Sequence, residues 1–172
     1  MNILNKPQLL SEDKEKNLIG FTINDKLITE KTPSEPWPGD FKCSVNQLTS
    51  LEGAPSSVGG YFWCSYNQLT SLEGAPSSVG CDFDCYNNHL ASLTSIHKIL
   101  KQMNGTFHAN GNPLKSNVIG LLLVKGCKEV ILDNNQVMEI MNRHMKSPFG
   151  HLRVLECQSE MLDANLGEWA EL

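Results

Sequence analysis

The fourteen residues from Asn46 to Gly59, NQLTSLEGAPSSVG, recur without a change from Asn67 to Gly80, which gives the chain a tandem period of 21 residues. A period of about 20 to 29 residues is the mark of a solenoid, in which each unit makes one turn and buries its apolar side only against its neighbours. Such a chain has no single central core to collapse around. It must stack.

Sliding the sequence by 21 residues aligns Phe41, Phe62 and Phe83, then Cys43, Cys64 and Cys85, then Asn46, Asn67 and Asn88. Leu48, Leu69 and Leu90 fall in register too, as do Leu51, Leu72 and Leu93. The next copy slips by three residues: Phe107, Ala109, Asn112 and Leu114 match Phe83, Cys85, Asn88 and Leu90 at a spacing of 24. This predicts a fourth turn whose extra residues lie between Ser95 and Thr106. Upstream, Trp37 stands one period before Val58 and Leu27 one period before Leu48, with poor matching between, so the first full coil is placed near Trp37.

Each letter of F-x-C-x-x-N-x-L-x-x-L has a physical reading. Alternation puts Phe62 and Cys64 on one face of a short strand, with Tyr61, Trp63 and Ser65 on the other. The Asn that follows can turn its side-chain amide onto backbone groups exposed where the strand bends, and successive coils make these amides a ladder. Leu69 and Leu72 fill the interior beyond the bend, and Gly74, Pro76 and Ser78 suit the return turn. No helix is required inside coils this short.

These residues resemble a short leucine-rich repeat protein of the bacterial and bacteriophage kind. The stretches that carry the likeness are FKCSVNQLTSLEGAP, YFWCSYNQLTSLEGAP and FDCYNNHLASL, with FHANGNPL as a degenerate last copy. Phe and Cys replace two leucines of the family pattern L-x-x-L-x-L-x-x-N-x-L, and Val58 stands one residue further from Asn67 than the pattern's first leucine. The resemblance covers residues 37 to 114. It implies an α/β fold: a leucine-rich-repeat solenoid of about four coils with a parallel sheet on one face. The expected organisation is an N-terminal cap over 1-36, the solenoid over 37-116 and a helical C-terminal cap over 117-172. It further implies a protein-binding role, with a host protein as partner if the chain is phage-encoded.

A chain of 172 residues with 40% hydrophobic content fits one compact unit. A net charge of −5 without clustered Lys or Arg argues against nucleic acid as a partner. Lys14 and Lys16 are interleaved with Glu12, Asp13 and Glu15, which reads as a solvated helix face. Met1 to Leu10 contains Pro7 and no apolar core of signal-peptide length, and the run from Val118 to Val124 is far shorter than a membrane span. The expectation is a cytoplasmic protein with no membrane partner.

Both ends of the solenoid expose strand edges, so the flanking segments are read as caps. A short helix is expected from Gln8 to Leu18, and a hairpin from Gly20 to Thr29 turning at Asn24-Asp25. Beyond Leu114, Ser116 or Asn117 can cap a helix through Val118, Leu121, Leu122 and Val124 that ends at Gly126, followed by a strand-like Val130 to Leu132. Asp133 or Asn134 can cap a second helix with Val137, Ile140, Met141 and His144 at helical spacing. After the break at Pro148 and Gly150, Leu152, Leu155, Leu162 and Leu166 suggest a last helix with Trp169 near its end.

No constellation for catalysis stands out. Cys157, in ECQSE, has His144, His151, Glu156, Glu160 and Asp163 near it in sequence, yet a cysteine beside Leu155 on a helix is more simply a buried one. Bacterial leucine-rich repeat ubiquitin ligases use Cys-x-Asp, and Ser159 stands where that Asp would be. No phosphate loop or H-E-x-x-H occurs. Cys43, Cys64 and Cys85 should stack about 4.8 Å apart, but without imidazole neighbours or C-x-x-C spacing they read as small buried hydrophobes rather than a metal site. Cys81, Cys127 and Cys157 lie outside that ladder. The reading is of a non-enzyme without metal or cofactor.

Function is then sought on the surface. The outward positions are Asp40, Lys42 and Ser44, then Tyr61, Trp63 and Ser65, then Asp82, Asp84 and Tyr86, then Thr106, His108 and Asn110. Among otherwise near-identical coils these vary most. Lys42, Tyr61, Trp63, Asp82, Asp84, Tyr86 and His108 are therefore the candidate partner-binding residues, because exposed aromatics anchor interfaces and the aspartates suit a basic or polar partner. A grid of four strands covers only about 200 Å² in projection, against the roughly 800 Å² that a typical interface takes from each partner. Either a cap adds surface, with Trp37, Arg153 and the last helix as candidates, or the chain self-associates through a solenoid end as a weak homo-oligomer.

Overall fold

A computed structural model describes residues 20–23, 26–29 and 36–172. The expected helix from Gln8 to Leu18 lies outside the described residues. Strands β1 (Gly20–Ile23) and β2 (Lys26–Thr29) pair antiparallel with Ile23 opposite Lys26, which is the expected hairpin, and form a sheet of their own.

The solenoid is built on a parallel ladder of β3 (Phe41–Lys42), β5 (Phe62–Trp63), β7 (Phe83–Asp84), β8 (Gln102–His108) and β9 (Lys125–Ile131). In it Phe41 faces Phe62, which faces Phe83, Phe107 and Val130 in turn. A second ladder joins β4 (Ser57–Val58) to β6 (Ser78–Val79) and then to the first residues of β8 and β9. Because β8 and β9 are long enough to serve both ladders, one seven-stranded sheet bends through a corner. Trp37 bridges Val58 in parallel, so the coiling begins where the sequence places it.

Identical residues stack because each coil lays the same side chain over its predecessor. Phe41, Phe62, Phe83 and Phe107 are fully buried, with successive ring centroids 5.8, 5.0 and 5.1 Å apart. Each such pair adds about 0.5–1.5 kcal/mol beyond the area it hides. Cys43, Cys64 and Cys85 form a buried row beside them, continued by Ala109 and Leu132, and Leu48, Leu69 and Leu90 another. At the bend, Asn67 Oδ1 accepts from the N–H groups of Asn46 and Leu48, at 3.0 and 2.9 Å, while its Nδ2 donates to the carbonyls of Cys43 and Cys64. Asn88 and Asn112 repeat this with Leu69 and Leu90 as donors. The expected asparagine ladder thus ties each coil to the next through groups that β-pairing leaves free.

The three extra residues are absorbed by a one-turn helix α1 (Ile96–Ile99), so the longest coil does contain a helix. The segment after Leu114 departs from expectation. Residues 119–123 make a 3₁₀ turn without a side-chain cap, and residues 125–131 are strand β9, not the end of a helix. Leu121, Leu122 and Val124 are buried as coil interior, which explains why their apolar run looked helical. The solenoid of about four turns therefore carries its sheet on to Ile131, past residue 116.

Two helices close this end. Helix α2 (Asn135–Met145) starts at Asn134, whose side chain accepts from the Val137 N–H at 3.1 Å, and buries Val137, Ile140, Met141 and His144. From the same helix, Asn142 donates Nδ2 to the Val130 carbonyl at 2.9 Å and accepts at Oδ1 from the Val130 N–H at 2.7 Å. Its amide does what a peptide group of a further strand would do. Helix α3 (His151–Asp163) follows, with Trp169 in a final 3₁₀ turn, Gly167–Ala170. The face of α3 turned inward is Arg153, Val154, Cys157 and Met161, whereas Leu152, Leu155 and Leu162 are more than 60% exposed.

Candidate binding face

One register position runs across the sheet as Lys42, Trp63, Asp84, His108 and Ile131. From Lys42 to His108 each member engages the next. The Lys42 ammonium sits 4.3 Å above the Trp63 ring, Asp84 Oδ1 lies 3.6 Å from His108 Nε2, and Tyr61 stacks on Trp63 at 5.2 Å with the rings 16° apart. These contacts hold the face in one arrangement, which would lower the ordering cost of any binding to it. Tyr61 and Lys42 are exposed, and Trp63, Asp84, Tyr86 and His108 half-buried.

Two aspartates of the outward set have another job. Asp40 Oδ1 accepts from the Tyr61 N–H at 3.0 Å, and Asp82 Oδ1 accepts from the Thr106 N–H at 2.8 Å. In each case a glycine precedes the donor, and a Cβ on Gly60 or Gly105 would come within 2.0 Å of the carboxylate. Where Tyr61 stands in place of Asp, the residue before the corresponding position, Asp82, is Cys81, and no carboxylate has to be accommodated. Asp82 is thus a strut between coils, so the negative charge offered by the face falls to Asp84. That charge is itself modulated. Burial raises the Asp84 pKa, and the Asp82 charge adds to the rise, while His108 and the Trp63 indole pull it down.

Two further expectations are corrected. Ser65 is 2% exposed and its hydroxyl donates to the Asp84 carbonyl at 3.2 Å, so it faces inward. Arg153 is buried, donating Nε to the Leu122 carbonyl at 2.9 Å and Nη1 to the Met145 carbonyl at 3.4 Å, and it therefore adds no contact surface. It closes the ends of the 3₁₀ turn and α2, both of which leave free carbonyls. Trp37 is half-buried, donates Nε1 to the Asp40 carbonyl at 2.8 Å and meets Phe41 edge-on.

Val45 and Tyr66 were missed by the alternation argument, and they are 63% and 55% exposed. Both have left-handed backbone, with φ of 60° and 54°, and Asn87 and Gly111 continue the row at 51° and 69°. A left-handed residue breaks the period of two, which is why Ser65 turns in and Tyr66 turns out. Tyr66 meets Tyr86 edge-on at 5.3 Å, giving the face a second aromatic pair. The signal was present in SVNQLTSL, SYNQLTSL and YNNHLASL, where the residue before Asn changes in every copy.

Elsewhere the chemistry is quiet. Burial raises the thiol pKa values of Cys43, Cys64 and Cys85, and those of Cys127 and Cys157 to about 12. His144 Nε2 contacts Glu160 Oε2 at 2.9 Å, leaving Cys157 with Met141 as its near neighbour. Among the described residues no three His, Cys, Asp or Glu side chains gather as a metal would require, and no helix is long and apolar enough to cross a membrane. A groove of about 500 Å³ runs along the second ladder past Trp37, Val58, Val79 and Met103, with Lys125 the one titratable residue among the described residues that line it. In comparisons with known proteins, no family model, no curated protein and no solved structure matches the chain.

Proposed function

We propose that the chain is a protein-binding module whose contact surface is the outward row Lys42, Trp63, Asp84 and His108 with Tyr61 and Tyr86, widened by Val45 and Tyr66. The observation that carries this reading is the contrast within a single sheet. Inward positions repeat the same residue from coil to coil, whereas the outward row changes at each step and is flanked by two aromatic pairs, each with an exposed tyrosine over a half-buried ring. A scaffold alone gives no reason to expose Tyr and Trp, the residue types enriched at binding hot spots. The resemblance to bacteriophage leucine-rich repeat proteins extends the proposal to a host protein that is inhibited or redirected by being occupied, in the cytoplasm.

The competing reading is assembly through the solenoid ends. The Val130 edge of β9 is already bonded to Asn142, which leaves head-to-tail stacking short of one of its two edges. That observation favours the face.

Affinity capture from a lysate with wild type and with Trp63→Ala/Tyr66→Ala tests the proposal, circular dichroism confirming that both fold. The expected result is loss of specific partners from the variant, each truncated anchor weakening binding about 30-fold or more. Equal capture of the same proteins by both would show that the partner binds elsewhere.

A further inference from the structure

Helix α3 is apolar on two opposite sides. Val154, Cys157 and Met161 are buried against the rest of the protein, while Leu152, Leu155 and Leu162 are 68%, 61% and 62% exposed. An apolar stripe at helical spacing is normally covered by a neighbouring element. The outward residues are not scattered: Leu152, Leu155, Ser159 and Leu162 follow each other at intervals of three, four and three. That is the a/d alternation of a coiled-coil seam, which a helix uses to meet another helix.

Assigning Leu152 and Ser159 to a, and Leu155 and Leu162 to d, places His151 and Gln158 at g, and Glu156 and Asp163 at e. Two copies paired antiparallel, with Leu152 over Leu162, would set Glu156 against the Glu156 of the second copy, a like-charge contact. Paired in parallel, g meets the e position five residues on, so His151 faces Glu156 and Gln158 faces Asp163 across the seam. Ser159, small and exposed, sits in the middle where the helices come closest. Phe149, 57% exposed just ahead of the helix and braced by Arg153 at 4.8 Å, widens the patch. Together these side chains offer about 500 Å² of apolar surface, which with a polar rim reaches the roughly 800 Å² per partner of a stable interface.

We infer that α3 is a homodimerisation helix, pairing in parallel with α3 of a second copy through Leu152, Leu155, Ser159 and Leu162. The seam is under two heptads long, so the dimer is weak, with a dissociation constant on the order of 10 µM. It uses none of the residues of the proposed binding face, and it would present two such faces from one assembly.

Sedimentation equilibrium from about 1 to 500 µM tests the pairing. Wild type is expected to pass from monomer to dimer across this range. Leu155→Glu/Leu162→Glu should remain monomeric throughout, a weakening of at least about 50-fold, with unchanged circular dichroism and thermal midpoint because both positions are exposed. For orientation, Leu152→Cys in a Cys81→Ser background tests the parallel alignment, the five other native cysteines being buried. Two-fold parallel pairing brings the two new thiols within the roughly 7 Å between Cα atoms that a disulfide spans, whereas antiparallel pairing separates them by about 15 Å. A reducible covalent dimer is expected under mild oxidation. Wild type that stays monomeric at the highest concentration overturns the proposal and gives the seam to a helix of another protein. A dimer that survives the two glutamates overturns it as well, and a glutamate-sensitive dimer without cross-linking overturns the parallel alignment.

Discussion

Leucine has opposite meanings in the two halves of this molecule. In the coils, Leu48, Leu51, Leu69, Leu72, Leu90 and Leu93 are all buried, whereas on α3, Leu152, Leu155 and Leu162 stand in solvent. The difference follows from how each region is closed. A coil stacked between two like coils has no choice of inside, because the same residue must lie over itself at every turn. A terminal helix is packed on one side only, and its inward face is set by what the elements beneath it lack. Here the last turn and α2 leave carbonyls at Leu122 and Met145, so α3 turns Arg153 inward to meet them and its leucines outward.

The largest effects that can break this comparison lie in the stack. Phe62→Ala removes a ring between two others and should cost about 3–5 kcal/mol in urea unfolding. Asn67→Ala leaves two N–H groups and the Cys43 carbonyl unpaired between coils, the Cys64 carbonyl keeping Asn88, and should cost about 3 kcal/mol. Its counterpart at the cap, Asn142→Ala, exposes one strand-edge peptide that water can partly reach, and about 1–2 kcal/mol is expected. If the two asparagines cost the same, the ladder is no more cooperative than a single edge contact.

Smaller effects come from titration. The His144 hydrogen bond, aided by Arg143, lowers the Glu160 pKa below the ordinary carboxylate range. A lowered carboxyl pKa contributes stability that is complete above the unfolded value, near 4.3, and is lost as pH falls through the folded one. Glu160→Gln should therefore show a flatter loss of thermal stability below about pH 4.5 than wild type. Asp84 has the opposite sign: its raised pKa costs stability as pH rises from the unfolded value, near 3.9, to the folded one. Asp84→Asn should be as stable as wild type at pH 7 or slightly more so, and a clear loss would mean that its contact with His108 outweighs its burial.

The sequence disclosed the coils nearly completely because every inward position is stated several times: the phenylalanine stack, the asparagine ladder and the coil start at Trp37 all lie where the period puts them. The outward face was half legible. Lys42, Tyr61, Trp63, Asp84 and His108 do share one surface, but alternation fails at a left-handed bend, so Tyr66 was hidden and Ser65 misplaced. Asp82 could not be told from Asp84 by residue type. Only the glycine before Thr106 hinted at its role as a strut. In the cap, helical spacing located α2 and α3, yet the partners that orient them, Asn142 with Val130 and Arg153 with Leu122, are 12 and 31 residues apart and leave no periodic trace.

The most direct test compares one leucine from each half by urea unfolding under conditions that keep the protein monomeric. Leu69→Ala should lower stability by about 2–5 kcal/mol, and Leu155→Ala should change it by no more than about 0.5 kcal/mol. Equal losses would contradict the account, because they would put the leucines of α3 inside the fold.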